Sequence, residues 1–225
     1  MGETPRKATM FRGLAASGGL VFAPVVRFEA KTERVVPRYA VEPPQANSEI
    51  ARFYLALDRS RHQLVELAKA TESRASSTEA GIFDSHLMML EDTYFIDTVV
   101  KGIRHRHENA EWSVHQAFEA MTEMMRNMGD AYLRERTADL SDVHDRLIGN
   151  LMGDDGQRAI PPIDRPCVVV ADNISPSDAI SLPRRYIRGM ATEQGSQTAH
   201  VTILARALGL SLIHISEPTR RRGIS

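Results

Sequence analysis

The spacing of apolar positions changes character along the chain. Over residues 11–36, the short runs Leu20-Val-Phe-Ala and Val25-Val-Arg-Phe, with glycines at 13, 18 and 19, predict short strands joined by turns. Val41-Glu-Pro-Pro44 ends that pattern. From Ser48 onward, Ile50, Phe53, Tyr54, Leu57, Leu64, Leu67 and Ala68 recur at a spacing close to 3.5, predicting one long helix with a coiled-coil-like seam. A second helix begins near Thr78 or Glu79 and gathers Ile82, Phe83, His86, Leu87 and Leu90 on one face. Two more run from about Asn109 to Met128 and from Asp130 to Leu151, with Gly129 between them and Gly153 as the stop. Such short connections imply antiparallel neighbours, hence a four-helix or similar bundle.

After Asp154-Asp-Gly-Gln the pattern changes again. Cys167 to Ala171 is a continuous apolar run suited to a buried strand, Ser175-Pro-Ser-Asp178 has the form of a helix start, and Ile187 to Thr192 reads as another strand. An amphipathic helix then follows from His200. The economical architecture combines α/β and all-α parts: an α/β domain built from residues 1–42 and 154–210, interrupted by an antiparallel helical-bundle insert over residues 43–153.

Composition narrows the setting. At 225 residues the chain has room for one or two real cores, and 42% hydrophobic with 25% charged residues is ordinary for a globular protein. The lone Cys167 excludes an internal disulfide framework and reads as a buried thiol. No stretch approaches the roughly 18 apolar residues of a membrane span. Met1-Gly-Glu-Thr-Pro-Arg-Lys lacks the apolar centre of a secretory signal, so the expected location is cytoplasmic. A formal net charge of −1 gives no reason to expect a nucleic-acid partner.

The candidate chemistry centres on His200. It is preceded by Gly195-Ser-Gln-Thr-Ala199 and opens a helix, where free backbone N–H groups and the positive end of the helix dipole favour an arriving phosphate. The same dipole disfavours imidazolium, keeping the ring neutral and nucleophilic. By local pattern alone, a structural or capping histidine fits at least as well. A second candidate is the helical stretch from Ala75 to Val100, which holds the acids Glu79, Asp84, Glu91, Asp92 and Asp97 and no lysine or arginine. Either it is a solvated face or, with His86, Met88 and Met89 inside the acidic rim, it suits a small protein with a basic face. His105-Arg-His107 does not form a metal pair, since positions i and i+2 do not share a helix face. No metal site is expected.

The stretch Met190-Ala-Thr-Glu-Gln-Gly-Ser-Gln-Thr-Ala-His200-Val-Thr-Ile-Leu-Ala-Arg-Ala-Leu-Gly209 resembles the phosphohistidine signature of the phosphoenolpyruvate-utilising enzymes. Further blocks resemble enzyme I of the bacterial sugar phosphotransferase system. These are Gly13–Leu20, Ile82–Asp92, Asn109–Glu111, Asp130–Arg136 and Ala171–Asp178. The resemblance implies that the α/β part is a swivelling phosphohistidine domain and that His200 carries phosphoryl from phosphoenolpyruvate to the carrier protein HPr through Nε2. It also implies that Ser175, Gly195, Ser196 and Thr198 position the ring or the phosphate. HPr would dock on the helical insert at Glu79, Asp84, His86, Met88, Met89 and Glu91. Phosphoenolpyruvate and Mg²⁺ belong to a barrel domain of the full-length enzyme, and no bound cofactor is expected in this stretch. Ser196, Ala199 and Gly18 depart from the family pattern, the first by adding a Cβ to the loop and the second by removing a hydroxyl, which predicts reduced rather than abolished activity. Residues 211–225 depart altogether and resemble translated adapter DNA joined to an interrupted gene, so a non-native or disordered tail is expected there and His214 is uninformative. Two alternatives remain: the swivelling domain of a pyruvate phosphate dikinase or phosphoenolpyruvate synthase, and a non-catalytic helical interaction module.

Overall fold

A computed structural model describes residues 10–28, 35–127, 137–154, 162–193 and 200–215. The long apolar seam forms helix α1 (Ala46–Arg74), entered through a 3-10 turn at Pro43–Gln45. It packs with α2 (Ser77–Glu91), α3 (Thr93–Arg106), α4 (Ala110–Asn127) and α5 (Thr137–Met152) around Phe53, Leu57, Leu64, Phe83, Phe95, Val114, Phe118 and Leu147. The acid-rich stretch expected as one helix is two. Asp92 adopts an extended conformation and its carboxylate accepts the Phe95 N–H at 2.8 Å, so this residue ends α2 and caps α3. At the α3–α4 crossing Gly102 is required by space, because a Cβ there would meet Ser113 Oγ at 2.6 Å.

The α/β part is a five-stranded sheet in the order β1-β5-β4-β3-β2, made of β1 (Gly13–Ser17), β2 (Val25–Phe28), β3 (Cys167–Ala171), β4 (Ile187–Thr192) and β5 (Ser211–Ile215). Only the β1–β5 pair is antiparallel; β2 to β5 run parallel, with Val25 opposite Val168 and Met190 opposite Leu212. Helix α6 (Pro176–Ser181) connects β3 to β4, and α7 (His200–Ala207) precedes β5. Cys167, Val169, Ile187 and Leu212 are buried together beneath these helices. The chain therefore leaves the sheet after Phe28, builds the helical bundle, and returns at Cys167.

The helical and sheet parts share packing. Ile180 of α6 and Leu204 of α7 belong to the apolar cluster of the bundle. Arg74, at the end of α1, donates to the Ile180 carbonyl at 2.7 Å. On α5, Asp142 accepts the Ser177 hydroxyl at 2.7 Å, while Arg146 donates to the same hydroxyl oxygen at 2.9 Å.

One expectation fails at its first residues. Ser211–Ile215, expected within a structureless tail, is a strand lying between β1 and β4, with Leu212 and His214 buried. Its alternating apolar pattern fits the unfilled place in the sheet, and His214 bonds Thr192 at 2.7 Å through Nδ1 and Thr202 at 3.1 Å through Nε2. Residues 216–225 lie outside the described ones. Stopping the chain at Leu210 removes the partner of β1 and the burial of Leu212, a loss of at least about 3 kcal/mol. Thermal unfolding should show a lower midpoint and hydrogen exchange should show β4 amides losing protection, whereas an unchanged midpoint would return β5 to the status of a tail.

Candidate functional site

His200 is the first residue of α7, and α7 is held from three sides. Thr202 bonds His214 of β5, Arg206 Nε donates to the Ala16 carbonyl of β1 at 2.7 Å, and Val201, Leu204 and Ala205 are buried. The imidazole, with 21% of its side chain exposed, points toward the bundle, where its Nδ1 lies 3.0 Å from both oxygens of Asp139 on α5. An ionised carboxylate can only accept, so the contact requires the proton on Nδ1 and leaves the lone pair of the neutral ring on Nε2. Asp139 is itself buried. Burial opposes its charge, but the His200 and His86 imidazoles together outweigh that cost and hold its carboxyl down at about 2.

This geometry gives one of the expected ring-positioning residues another task. Ser175, expected at the ring, caps α6 instead: its hydroxyl accepts the Asp178 N–H at 3.1 Å and the Asp178 carboxylate returns to the Ser175 N–H. Among the described contacts none joins Ser175 to His200. Gly195, Ser196 and Thr198 lie outside the described residues. Asp139 is the group that sequence reasoning missed, since nothing local marks one acid on α5 as the partner of a histidine 61 positions later.

The expected docking residues divide by face. Asp84, Met88 and Glu91 fall at i, i+4 and i+7 on the outer stripe of α2 and are exposed, Met88 by 71%. Asp97 and Tyr94 extend the exposed surface onto α3. Met89 is half-buried and packs against the bundle core. Glu79 is half-buried and accepts the hydroxyl of Ser76, the cap of α2, so its carboxylate serves the helix start. His86 contradicts its assignment outright: it lies on the inner face beside Phe83 and Leu90, fully buried, because the 3.6-residue period turns it away from Asp84 and Met88.

A separate open depression is lined by Arg74, Ser181, Arg184 and Leu208. Arg74 donates to the Ile180 carbonyl in α6, and Arg184 donates to the Leu208 carbonyl just past α7 and to the Ile187 carbonyl that opens β4, so both guanidinium groups serve the backbone. Among the described residues no group of three or more His, Cys, Asp or Glu side chains is arranged to hold a metal ion, and no helix is long and apolar enough to cross a membrane.

Comparison with known proteins gives matches over most of the chain. Residues 12–136 match the family described as PEP-utilising enzyme, N-terminal, and residues 163–217 match PEP-utilising enzyme, mobile domain. A phosphoenolpyruvate-protein phosphotransferase of Bacillus sp. (strain S) is 30% identical over 95% of this chain and 36% of its own length. Its counterpart from Listeria innocua is 31% identical over 92% and 35%. The chain thus spans about a third of the length of these relatives. A solution NMR structure of an Enzyme I protein is similar with TM-score 0.69 and 28% identity, covering 90% of this chain and 81% of that one. The N-terminal domain of a nitrogen-type Enzyme 1 shares the fold at TM-score 0.61 and 24% identity, over 91% and 83%.

The depressed carboxyl of Asp139 has a pH consequence. Its folded value of about 2 lies below the ordinary 3.8. Its contribution is therefore fully present above about pH 4 and is lost as pH falls toward 2. That difference corresponds to on the order of 2 kcal/mol. Asp139→Asn should be less stable than the parent chain by about this amount near neutrality, with the gap closing between about pH 4 and 2 in denaturant titrations. A gap independent of pH would mean that the carboxylate charge is not its source.

Proposed function

The chain belongs to the PEP-utilising enzymes, and on that premise we propose that His200 accepts a phosphoryl group on Nε2 and passes it to a histidine of a small cytoplasmic phosphocarrier of the HPr type. The single observation that carries this reading is the Asp139 carboxylate on His200 Nδ1. With the proton fixed on Nδ1, Nε2 presents its lone pair to phosphorus. The N–P bond forms as the bond from phosphorus to the donor atom breaks, and no proton has to leave the attacking nitrogen. The ring gains positive charge in that step, and Asp139 is already in place to compensate it. As the first residue of α7, His200 stands at the positive end of the helix, which favours an arriving phosphate.

The parent reaction of the longer relatives supplies the rest of the proposal. Phosphoenolpyruvate is the original phosphoryl donor, with Mg²⁺ assisting, and both would be bound by parts of a longer protein. The stretch described here exchanges phosphoryl with the carrier in either direction. Carrier docking uses the outer stripe of α2 and its continuation on α3, where Asp84, Glu91 and Asp97 surround exposed Met88 and Tyr94. An acidic rim about soft apolar side chains favours a partner whose apolar patch is ringed by lysine or arginine.

Incubation with phosphorylated carrier should label His200 with an acid-labile phosphoryl group, and His200→Ala should take up none. Label on another histidine by peptide mapping sinks the assignment. Reversing Asp84 and Glu91 together should slow association with the carrier about tenfold at low salt, with the difference shrinking as salt rises. Both side chains are exposed, so the thermal midpoint should move little. Unchanged association rates would put the docking surface elsewhere.

A further inference from the structure

The buried imidazole of His86 has no role in the carrier surface or in the contacts made by His200. Its side chain is completely buried, with Phe83 edge-on at 5.6 Å, and neither ring nitrogen forms a hydrogen bond. Nε2 stands 3.5 Å from Asp139 Oδ1 and Nδ1 stands 4.0 Å from Asp142 Oδ2, contacts too long for good bonds but short enough for strong charge and dipole effects in a dry interior. A phenyl ring would fill this space without the cost of burying two polar nitrogens. What imidazole adds is electrostatic.

Helix α2 brings His86 to one side of Asp139, and α7 brings His200 to the other. We propose that His86 is a positioning residue for the reactive imidazole, acting through Asp139 to keep that carboxylate anionic and to limit how strongly it holds a second proton on His200. This deepens the reading of His200 as phosphoryl acceptor and rests on it. A carboxylate offers about four acceptor sites, so Asp139 receives His200 Nδ1–H on both oxygens and still faces an N–H from His86 on Oδ1. If Asp139 took up a proton it would become a donor toward Nδ1, driving the ring proton of neutral His200 onto Nε2 and removing the nucleophile. If the carboxylate faced His200 alone, it would favour the doubly protonated ring, which also has no lone pair on Nε2. The N–H of His86 works against both outcomes.

The charged groups around the pair are few. Asp139, Asp142 and Arg146 come from α5, and His200 comes from α7. Asp142 is occupied by the N–H and hydroxyl of Ser177 and lies in the field of Arg146. Arg61 of α1 donates to the Leu90 carbonyl of α2. Asp139 is thus the acid that both imidazoles approach most closely.

The test is 15N NMR of the ring nitrogens in the unphosphorylated full chain, titrated from pH 5 to 9. In the parent chain, neutral His200 should carry its proton on Nδ1, and the ring of His86 should carry a proton on Nε2, the nitrogen that faces Asp139. In His86→Phe, the pH at which Nε2 loses its lone pair should rise by about one unit, a tenfold change in proton affinity, and the acid limb of phosphoryl exchange with the carrier should move with it. His86→Gln returns an N–H donor to the same place and should restore most of that shift. A folded His86→Phe with unchanged His200 titration overturns the proposal. If that variant does not fold, a parent chain whose His86 carries no proton on Nε2 overturns it equally. These ring signals are read without any phosphoryl group, so a His200 that is never labelled refutes the proposed function, while an uncoupled titration refutes only the role of His86.

Discussion

A buried carboxylate shared by two imidazoles is the interaction on which the rest of this structure turns. Asp139 sits on the helical bundle, His200 on the α/β part, and their contact is where the two parts meet chemically as well as sterically. Leaving an unpaired charge in that position would cost several kcal/mol, so the bundle and the sheet have to be correctly apposed for the carboxylate to be tolerated. The same contact puts the ring proton of His200 on Nδ1 and its lone pair on Nε2, so one group sets both the packing and the tautomer.

Around this centre, polar contacts divide between anchoring and chemistry. Arg52 ties Glu49 of α1 to Glu111 of α4 and reaches the Leu151 carbonyl of α5, with distances between 2.6 and 2.9 Å. This bidentate cluster joins the start of α1 to the start of α4 and the last turn of α5, and has no part in the site. Ser177, Asp142 and Arg146 make a second tie, from α5 to the start of α6. Asp139 and Asp142 lie within one turn of α5 and serve different partners in the α/β part. The helix that carries the anchoring acid also carries the positioning acid.

Much of this was legible from residue order. The seam from Ile50 to Ala68 gives α1, the run from Cys167 to Ala171 gives β3, and the Gly/Ser/Thr-rich approach puts His200 at the first turn of α7. What escaped notice depends on contacts distant in sequence. No local signal marks Asp139 as the partner of His200, 61 positions away. His86 was misread for a different reason: a cluster of acids near a histidine resembles a surface, while the helical period assigns that histidine to the core. Ser211–Ile215, expected to depart from the family, lies inside the mobile-domain match that runs to residue 217, and its alternation of buried and exposed side chains suits a strand between β1 and β4.

The pairing of β2 with β3 also constrains the order of assembly. These neighbouring parallel strands are separated by roughly 140 residues of chain, and closing a flexible loop of that length costs about 4 kcal/mol in entropy before any strand contact repays it. The inserted helices meet mostly through near neighbours in sequence, α1 with α2 and α3 with α4, so they can condense first and draw Phe28 and Cys167 together. The sheet then closes on a preformed support. On that pathway His200 is among the last groups to reach its station, and a nascent chain acquires the proposed docking face of α2 before it acquires the pairing of His200 with Asp139.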